Sequence, residues 1–488
     1  MKDIYRLLIG RVRRWYETLR GWVRGSAADR LPISAILTRL ERFPERIVPG
    51  VVMARINETI QLVPGPLQLW RNGTQIGEVQ GSLELVWLPD PEVRVSGVIA
   101  GSADLDIEAD GFEVAGPTLP IRLPVSLAGI QHNPDGAAVR AVLAKTVQRS
   151  VPSVNAVWFK LVRFPDFHGD RVRYSTAGGS HGLVSGRMQM TANELSCTID
   201  EIVEVEALIK SANQEAGYII SHVGRLEKVS SPLAPDEVSR LVPALHWLFA
   251  FMRGARCGPV LVGSGPSFKD DWLEIGSPKL HQARTVSTWL PLRSPLQMDD
   301  LFSGFMSMWS DTEWNPPMRT AIAWYLGAND SNVAHEVRIP LTQIALELLA
   351  WVHLVEKTQR EERAIFDALP AHERVRRLLR VLDIPTSVPD RMNKLARLAA
   401  DWRIDAPESL TRLRNKLEHP TTTNRRHLEK VDGVHLLQAA ELGLEYVELV
   451  LLALFGYRGK HARRAFPGWV GADEALVPWA QSEQGMLQ

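Results

Sequence analysis

A chain of 488 residues, 45 % hydrophobic and 23 % charged, has the composition of a folded globular protein, which excludes a disordered or fibrous one. Its length implies two or three domains of roughly 100 to 200 residues. The 56 Lys and Arg cancel the 56 Asp and Glu, so no net field marks a nucleic-acid or membrane partner and any charged site has to be local.

Two cysteines, Cys197 and Cys257, stand without metal-ligand spacing. This argues against a disulfide scaffold or zinc module and for a reducing, cytoplasmic compartment. The N-terminus lacks the apolar core of a signal peptide, and no uninterrupted apolar run reaches the roughly 18 residues that span a bilayer.

Residues 1–45 form an N-terminal amphipathic helical segment. Within 1–26, Ile4, Leu8, Val12, Trp15, Leu19 and Trp22 recur at three- and four-residue intervals and draw one apolar stripe, with Lys2, Arg6, Arg11, Arg13, Arg14, Arg20 and Arg24 around it. Docking on its own protein or on a second subunit accounts for the stripe; contact of 1–26 with an anionic membrane or with RNA is the alternative.

Residues 46–262 change to short alternating runs broken by Gly, Pro, Asn and Asp, as in "GSLELVWLPDPEVRVSGVIAG". This pattern predicts an antiparallel β-rich sandwich or barrel domain ending in a helix over 234–254. Residues 263–331 read as a connector carrying Trp272, Trp289, Trp309, Trp314 and Trp324. Basic residues are not regularly interleaved with them, so packing against the flanking domains is expected rather than base stacking. Residues 332–460 read as an all-α bundle. A long apolar helix follows Pro340, short helices lie near 371–382, 390–403 and 407–419, and a closing helix ends near Gly456. Residues 461–488 are a C-terminal tail. The fold class is therefore α+β multidomain.

Two tempting motifs fail on context. "GGSHG" at 178–182 has the G-x-S-x-G spacing of a nucleophile elbow around Ser180, but strand-like sequence on both sides makes it a hairpin loop. "GSGPSFKD" from Gly263 lacks the Gly-Lys-Ser/Thr ending of a phosphate loop and reads as a turn.

"RNKLEH", residues 414–419, is different. An Arg and a His five apart should occur about once by chance, and Arg163 with His168 is such a case, straddling Pro165 in the β region. Requiring Asn directly after the Arg lowers that expectation about fortyfold. Leu410, Leu413 and Leu417 account for a buried helix face, Asn415 and His419 share another, and Arg414 lies beside it. Pro420 places His419 at the helix end.

The sequence here resembles the Arg-x4-6-His signature, with a polar residue after the Arg, of the HEPN superfamily (higher eukaryotes and prokaryotes nucleotide-binding domains). These are helical bundles, often metal-independent ribonucleases. The likeness extends over about 332–460, in helix order as well as motif. A β-rich region ahead of such a bundle is similar in architecture to the ApeA-like abortive-infection proteins of bacterial anti-phage defence.

The resemblance implies a homodimer, or a higher oligomer built from dimers, in which two motif helices bring both Arg and both His to one RNA phosphate. It implies no metal and no cofactor. Arg414 and His419 would be the catalytic pair of an endoribonuclease: a base takes the ribose 2′-hydroxyl proton, the oxygen attacks its own phosphate, and Arg stabilises the added charge. Asn415 would position the motif helix or a phosphate. Glu347, a carboxylate among apolar neighbours in "IALELLAW", is expected to orient Arg414. Arg412, Lys416, Arg425 and Arg426 would guide the RNA backbone. The β-rich region would sense a phage-derived or partner-protein trigger. A non-catalytic HEPN-type RNA- or nucleotide-binding or dimerisation scaffold is the open alternative.

Overall fold

The computed structural model describes residues 41–100, 106, 108–119, 121–133, 136–175, 181–268, 272–281, 286–294, 297–419, 421–429, 431–465 and 473–481. The expected helix over 1–26 and the loop carrying Ser180 lie outside the described residues.

Seven strands come first: β1 (Ile60–Pro64), β2 (Leu67–Arg71), β3 (Thr74–Val86), β4 (Glu92–Ala100), β5 (Phe112–Ala115), β6 (Leu123–Asn133) and β7 (Gly136–Leu143). Their alternation is that of half-buried strands: Val93 and Val95 are buried while Glu92 and Arg94 face outward. All pairings are antiparallel, and β3, β2, β5, β6, β7 and β4 close a ring when β4 pairs back onto β3. Closure leaves no free edge within the ring. Leu67, Leu69, Val79, Leu83, Val114 and Leu123 fill its interior. Of the two expected β architectures, this region is the barrel.

A second antiparallel sheet follows. Its strands are β8 (Val147–Gln148), β9 (Ala156–Val162), β10 (Asp170–Ser175), β11 (His181–Ala192), β12 (Leu195–Glu201), β13 (Ile220–Lys228), β14 (Val260–Gly263) and β15 (Trp272–Ile275). The order from β11 is β11-β12-β13-β9-β14-β15-β8. β9 and β12 are buried almost throughout because both sheet faces are covered. Val157, Phe159 and Leu161 join the helical core, whereas Trp158 and Val162 join the barrel core. Gly224 of β13 lies opposite Phe159, and a Cβ there would stand 2.2 Å from the Phe159 ring. Of the described residues, 41–46, 171–175 and 181–185 belong to a separate compact unit. In it the Arg46 N–H donates to the Arg173 carbonyl at 2.9 Å, and the Arg173 N–H to the Pro44 carbonyl at 2.9 Å.

The helices are α1 (Glu206–Glu215), α2 (Pro235–Arg253), α3 (Asp299–Ser310), α4 (Asn315–Ala328), α5 (His335–Trp351), α6 (Arg363–Ala368), α7 (Ala371–Val381), α8 (Asn393–Trp402), α9 (Ala406–Glu418), α10 (Thr422–Leu428) and α11 (Gly433–Leu454). The predicted helix over 234–254 is α2, which ends at Gly254 in the left-handed conformation (φ 78°). α5 continues as a π-helical turn over Val352–Lys357. Together His335–Lys357 are long and apolar enough to cross a membrane by composition, but half of the most apolar stretch is buried inside the protein.

The helical part begins earlier than the sequence pattern suggests. More than a third of the expected connector is α3 and α4, and α4 packs along α5. Four of the connector tryptophans, 272, 289, 309 and 314, are buried, as packing rather than base stacking requires. Phe251 of α2 shows how one core runs through both parts. Its ring lies 5.3 Å from Trp289, 5.7 Å from Tyr325 of α4 and 5.8 Å from Phe455 just beyond α11.

The expected tail also enters the core. β16 (Lys460–Ala462) pairs with β17 (Glu474–Leu476), and Arg464 is buried. Its guanidinium bonds Glu448 at 2.6 Å, Glu441 at 2.9 Å and Asn329 Oδ1 at 2.9 Å. Glu448 also accepts from the Tyr325 hydroxyl at 2.7 Å, and Glu441 from Arg338 at 2.6 Å. Glu445 is paired with Arg391. Buried charges persist only when so compensated.

Candidate functional site

α9 is built from both ends. Asp405 caps it, accepting the Glu408 N–H at 3.1 Å, while Pro407 occupies the first turn. Arg376 of α7 binds the same Asp405 carboxylate at 2.6 and 3.0 Å. Leu410 and Leu413 are buried, and Thr411 exchanges hydrogen bonds with Gln343 of α5 at 3.0 and 3.2 Å. The helix stops at His419, whose φ and ψ are −115° and 77° and whose N–H bonds the Asn415 carbonyl at 3.0 Å. The following Pro420 makes helical geometry at His419 unfavourable. The His419 carbonyl accepts from Asn424 Nδ2 at 2.7 Å, which ties the end of α9 to α10. His419 itself is exposed.

Arg414 is half-buried beside this end. Its Nη1 donates to Asn415 Oδ1 at 3.0 Å, and its Nε lies 2.9 Å from Glu418 Oε2, close enough for an ion pair although the N–H is not aimed to form a hydrogen bond. Glu418, inside the motif, was not singled out in the sequence. The i, i+4 spacing of Arg414 and Glu418 was the signal for it.

The structure separates the predicted site residues into groups. Arg412, Asn415 and Lys416 line one groove of about 950 Å³ with Lys394, Arg397 and Trp402 of α8, Asn424 of α10 and His435 of α11. Lys416 Nζ lies 5.7 Å over the Trp402 ring, and burial, then the charge of Arg412, lowers its pKa. Arg412 is held by Glu408 at 2.7 and 3.0 Å, and Lys394 by Asp432 at 3.0 Å. The exposed Arg397 has no ion-pair partner among the described residues. Asp401 is the one carboxylate in the lining.

Glu347 does not reach Arg414. Its carboxylate lies 3.6 Å from Arg374 of α7 and accepts from Gln343 at 3.2 Å. The expectation that it orients Arg414 fails because α7 supplies a nearer cation. Arg425 and Arg426 are exposed on α10 and do not line the groove. The decoy pair also resolves: Arg163 is buried and bonds Gly217 and Asn213, at 3.3 and 2.9 Å. Lys394, Arg397 and Trp402 escaped sequence reading because their helix reads only as amphipathic. Among the described residues no group of three His, Cys, Asp or Glu is placed to hold a metal ion.

Residues 311–474 match the family model of the YopA C-terminal domain. Residues 150–286 match that of the YopA central domain. The first covers α4 to β16 and so includes the groove, the motif and Arg464; the second covers β9 to β15 with α1 and α2. Over 439 residues the chain is 26 % identical to the SPbeta prophage-derived uncharacterized protein YopA of Bacillus subtilis (strain 168), across 87 % of this chain and 96 % of that relative. No solved structure matches.

Proposed function

We propose that this chain is a metal-independent endoribonuclease effector of the HEPN type, acting in the cytoplasm, whose α9–α10 corner cleaves RNA with Arg414 and His419. One observation carries the reading. Arg412, Asn415, Lys416 and His419 fall at i, i+3, i+4 and i+7, the spacing of one helix face, and the first three line the groove where α8 adds Lys394 and Arg397. A cationic track next to an exposed imidazole at a helix end is what backbone capture followed by 2′-hydroxyl attack needs.

In this reading His419 of one protomer is the base and its counterpart in a second copy protonates the leaving oxygen, so the active form is a dimer. Arg414 leaves Glu418 to meet the phosphate. The core shared by α2 and the helices supports a sensing role for the β-rich region, because a change there has a packed route to the bundle. The prophage origin of a relative agrees with a role in conflict between phages and their hosts, such as abortive infection.

The test is cleavage of RNA by the full chain in excess EDTA, giving 2′,3′-cyclic phosphate ends. Activity should fall at least a hundredfold in Arg414→Ala and in His419→Ala. Retained cleavage in both variants would overturn the assignment. A second reading, an RNA-binding scaffold without catalysis, is favoured by the engagement of Arg414 with Glu418. It expects RNA binding without cleavage in every variant.

A further inference from the structure

A second cavity, of about 360 Å³, lies between the barrel, the second sheet and α2. Leu62 of β1, Leu85 of β3 and Val93 of β4 supply its barrel wall, and Val260 of β14 with Ile275 of β15 extends the apolar surface. That size lies at the lower end of the range of small-molecule sites, which are mainly apolar with a few convergent polar groups.

The polar groups are unevenly charged. Glu274, the carboxylate in the lining, is engaged: it accepts from Gln148 at 3.1 Å and lies 3.7 Å from the His246 ring. The cations are not. The Arg256 guanidinium rests 5.1 Å from the centre of the Trp247 ring, and no carboxylate among the described residues pairs with it. Lys279, also in the lining, is exposed and has no such partner either. The Arg256 backbone is pinned by its carbonyl, which accepts from Arg253 Nη1 at 2.8 Å and from the His281 N–H at 3.0 Å.

We propose that this cavity binds a small, mainly apolar organic anion, its hydrocarbon part against Leu62, Leu85 and Val260 and its acidic group between Arg256 and Lys279. A neutral ligand would leave two cations facing the site against the single carboxylate of Glu274, and a cationic one would be repelled by both. The Ser277 hydroxyl, which accepts the Val93 N–H at 2.9 Å, already joins the barrel to the end of β15 at this point. An occupant would bridge the same elements. The inference does not depend on the nuclease reading.

The probe is 1-anilinonaphthalene-8-sulfonate, an apolar bicycle with one anionic group that fluoresces when removed from water. Titrated into the full-length protein, it should give saturable one-site binding and raise the melting temperature. The uncharged N-phenyl-1-naphthylamine should bind at least tenfold more weakly. Lys279→Glu, at an exposed position with little bearing on folding, should weaken the anion at least fivefold, and Arg256→Gln should do so more strongly, with the neutral probe unaffected in both. Equal affinity for the two probes, no saturable binding, or wild-type affinity of the anion in Lys279→Glu would overturn the proposal.

Discussion

Glu418 holds Arg414 within the same helix, Oε2 to Nε at 2.9 Å, so the guanidinium proposed to meet RNA phosphate already has a counter-charge. Glu418→Gln removes that competitor. We expect RNA cleavage and RNA affinity to rise severalfold in this variant. A partly exposed i, i+4 pair contributes only about 0.3–0.5 kcal/mol, so the denaturation midpoint should barely move. Cleavage lowered to the level of Arg414→Ala would instead make Glu418 a functional partner of Arg414.

The groove predicts a salt signature. Arg397→Gln and Lys416→Gln should each weaken RNA binding about equally across sequences and lower the slope of log affinity against log salt by about 0.7 for single-stranded RNA. Filter binding at several salt concentrations measures this. Arg425→Gln, outside the groove, is the control and should leave the slope unchanged.

Acid should destabilise the fold through two buried histidines. Burial first of all depresses His461 to about 4, and burial depresses His222 to about 3. Both start from an ordinary value near 6.5, so the unfolded chain takes up protons that the folded one refuses. Their stabilisation is whole above about pH 6.5, falls as pH drops through that value and levels off below about pH 4 for His461 and pH 3 for His222. The His461 share is on the order of 3 kcal/mol. Urea midpoints between pH 7.5 and 4 should fall less steeply in His461→Gln than in the wild type.

Arg464 should be more costly to remove alone than with its partner. Arg464→Met leaves the buried Glu448 and the half-buried Glu441 without a shared cation and should destabilise by about 3–5 kcal/mol. Arg464→Met combined with Glu448→Met should recover part of that loss. Denaturant titration of the two variants decides it, and additive losses would contradict the picture of one coupled network.

The end of α9 could be read from Pro420 because helix stops are set by neighbours a few positions away, while its start at Ala406, capped by Asp405, lies one residue before the expected 407. The alternation of β2, β4 and β7 was equally local, and so was the burial of the connector tryptophans. Glu347 shows the opposite case. Its apolar neighbours announced a need for a cation, but α7 rather than α9 supplied it, in the form of Arg374.

By itself the sequence determined the division into a β-rich and a helical part and the helix that carries "RNKLEH". Periodicity and capping act over one or two turns, so one strand of text contains them. Tertiary structure alone decided that β7 returns to β4 to close the barrel, that Arg464 enters the core, and that Lys394 and Arg397 converge on Arg412 and Lys416. Those pairings join residues far apart in the chain, and their partners are chosen by how sheets and helices pack rather than by any local preference.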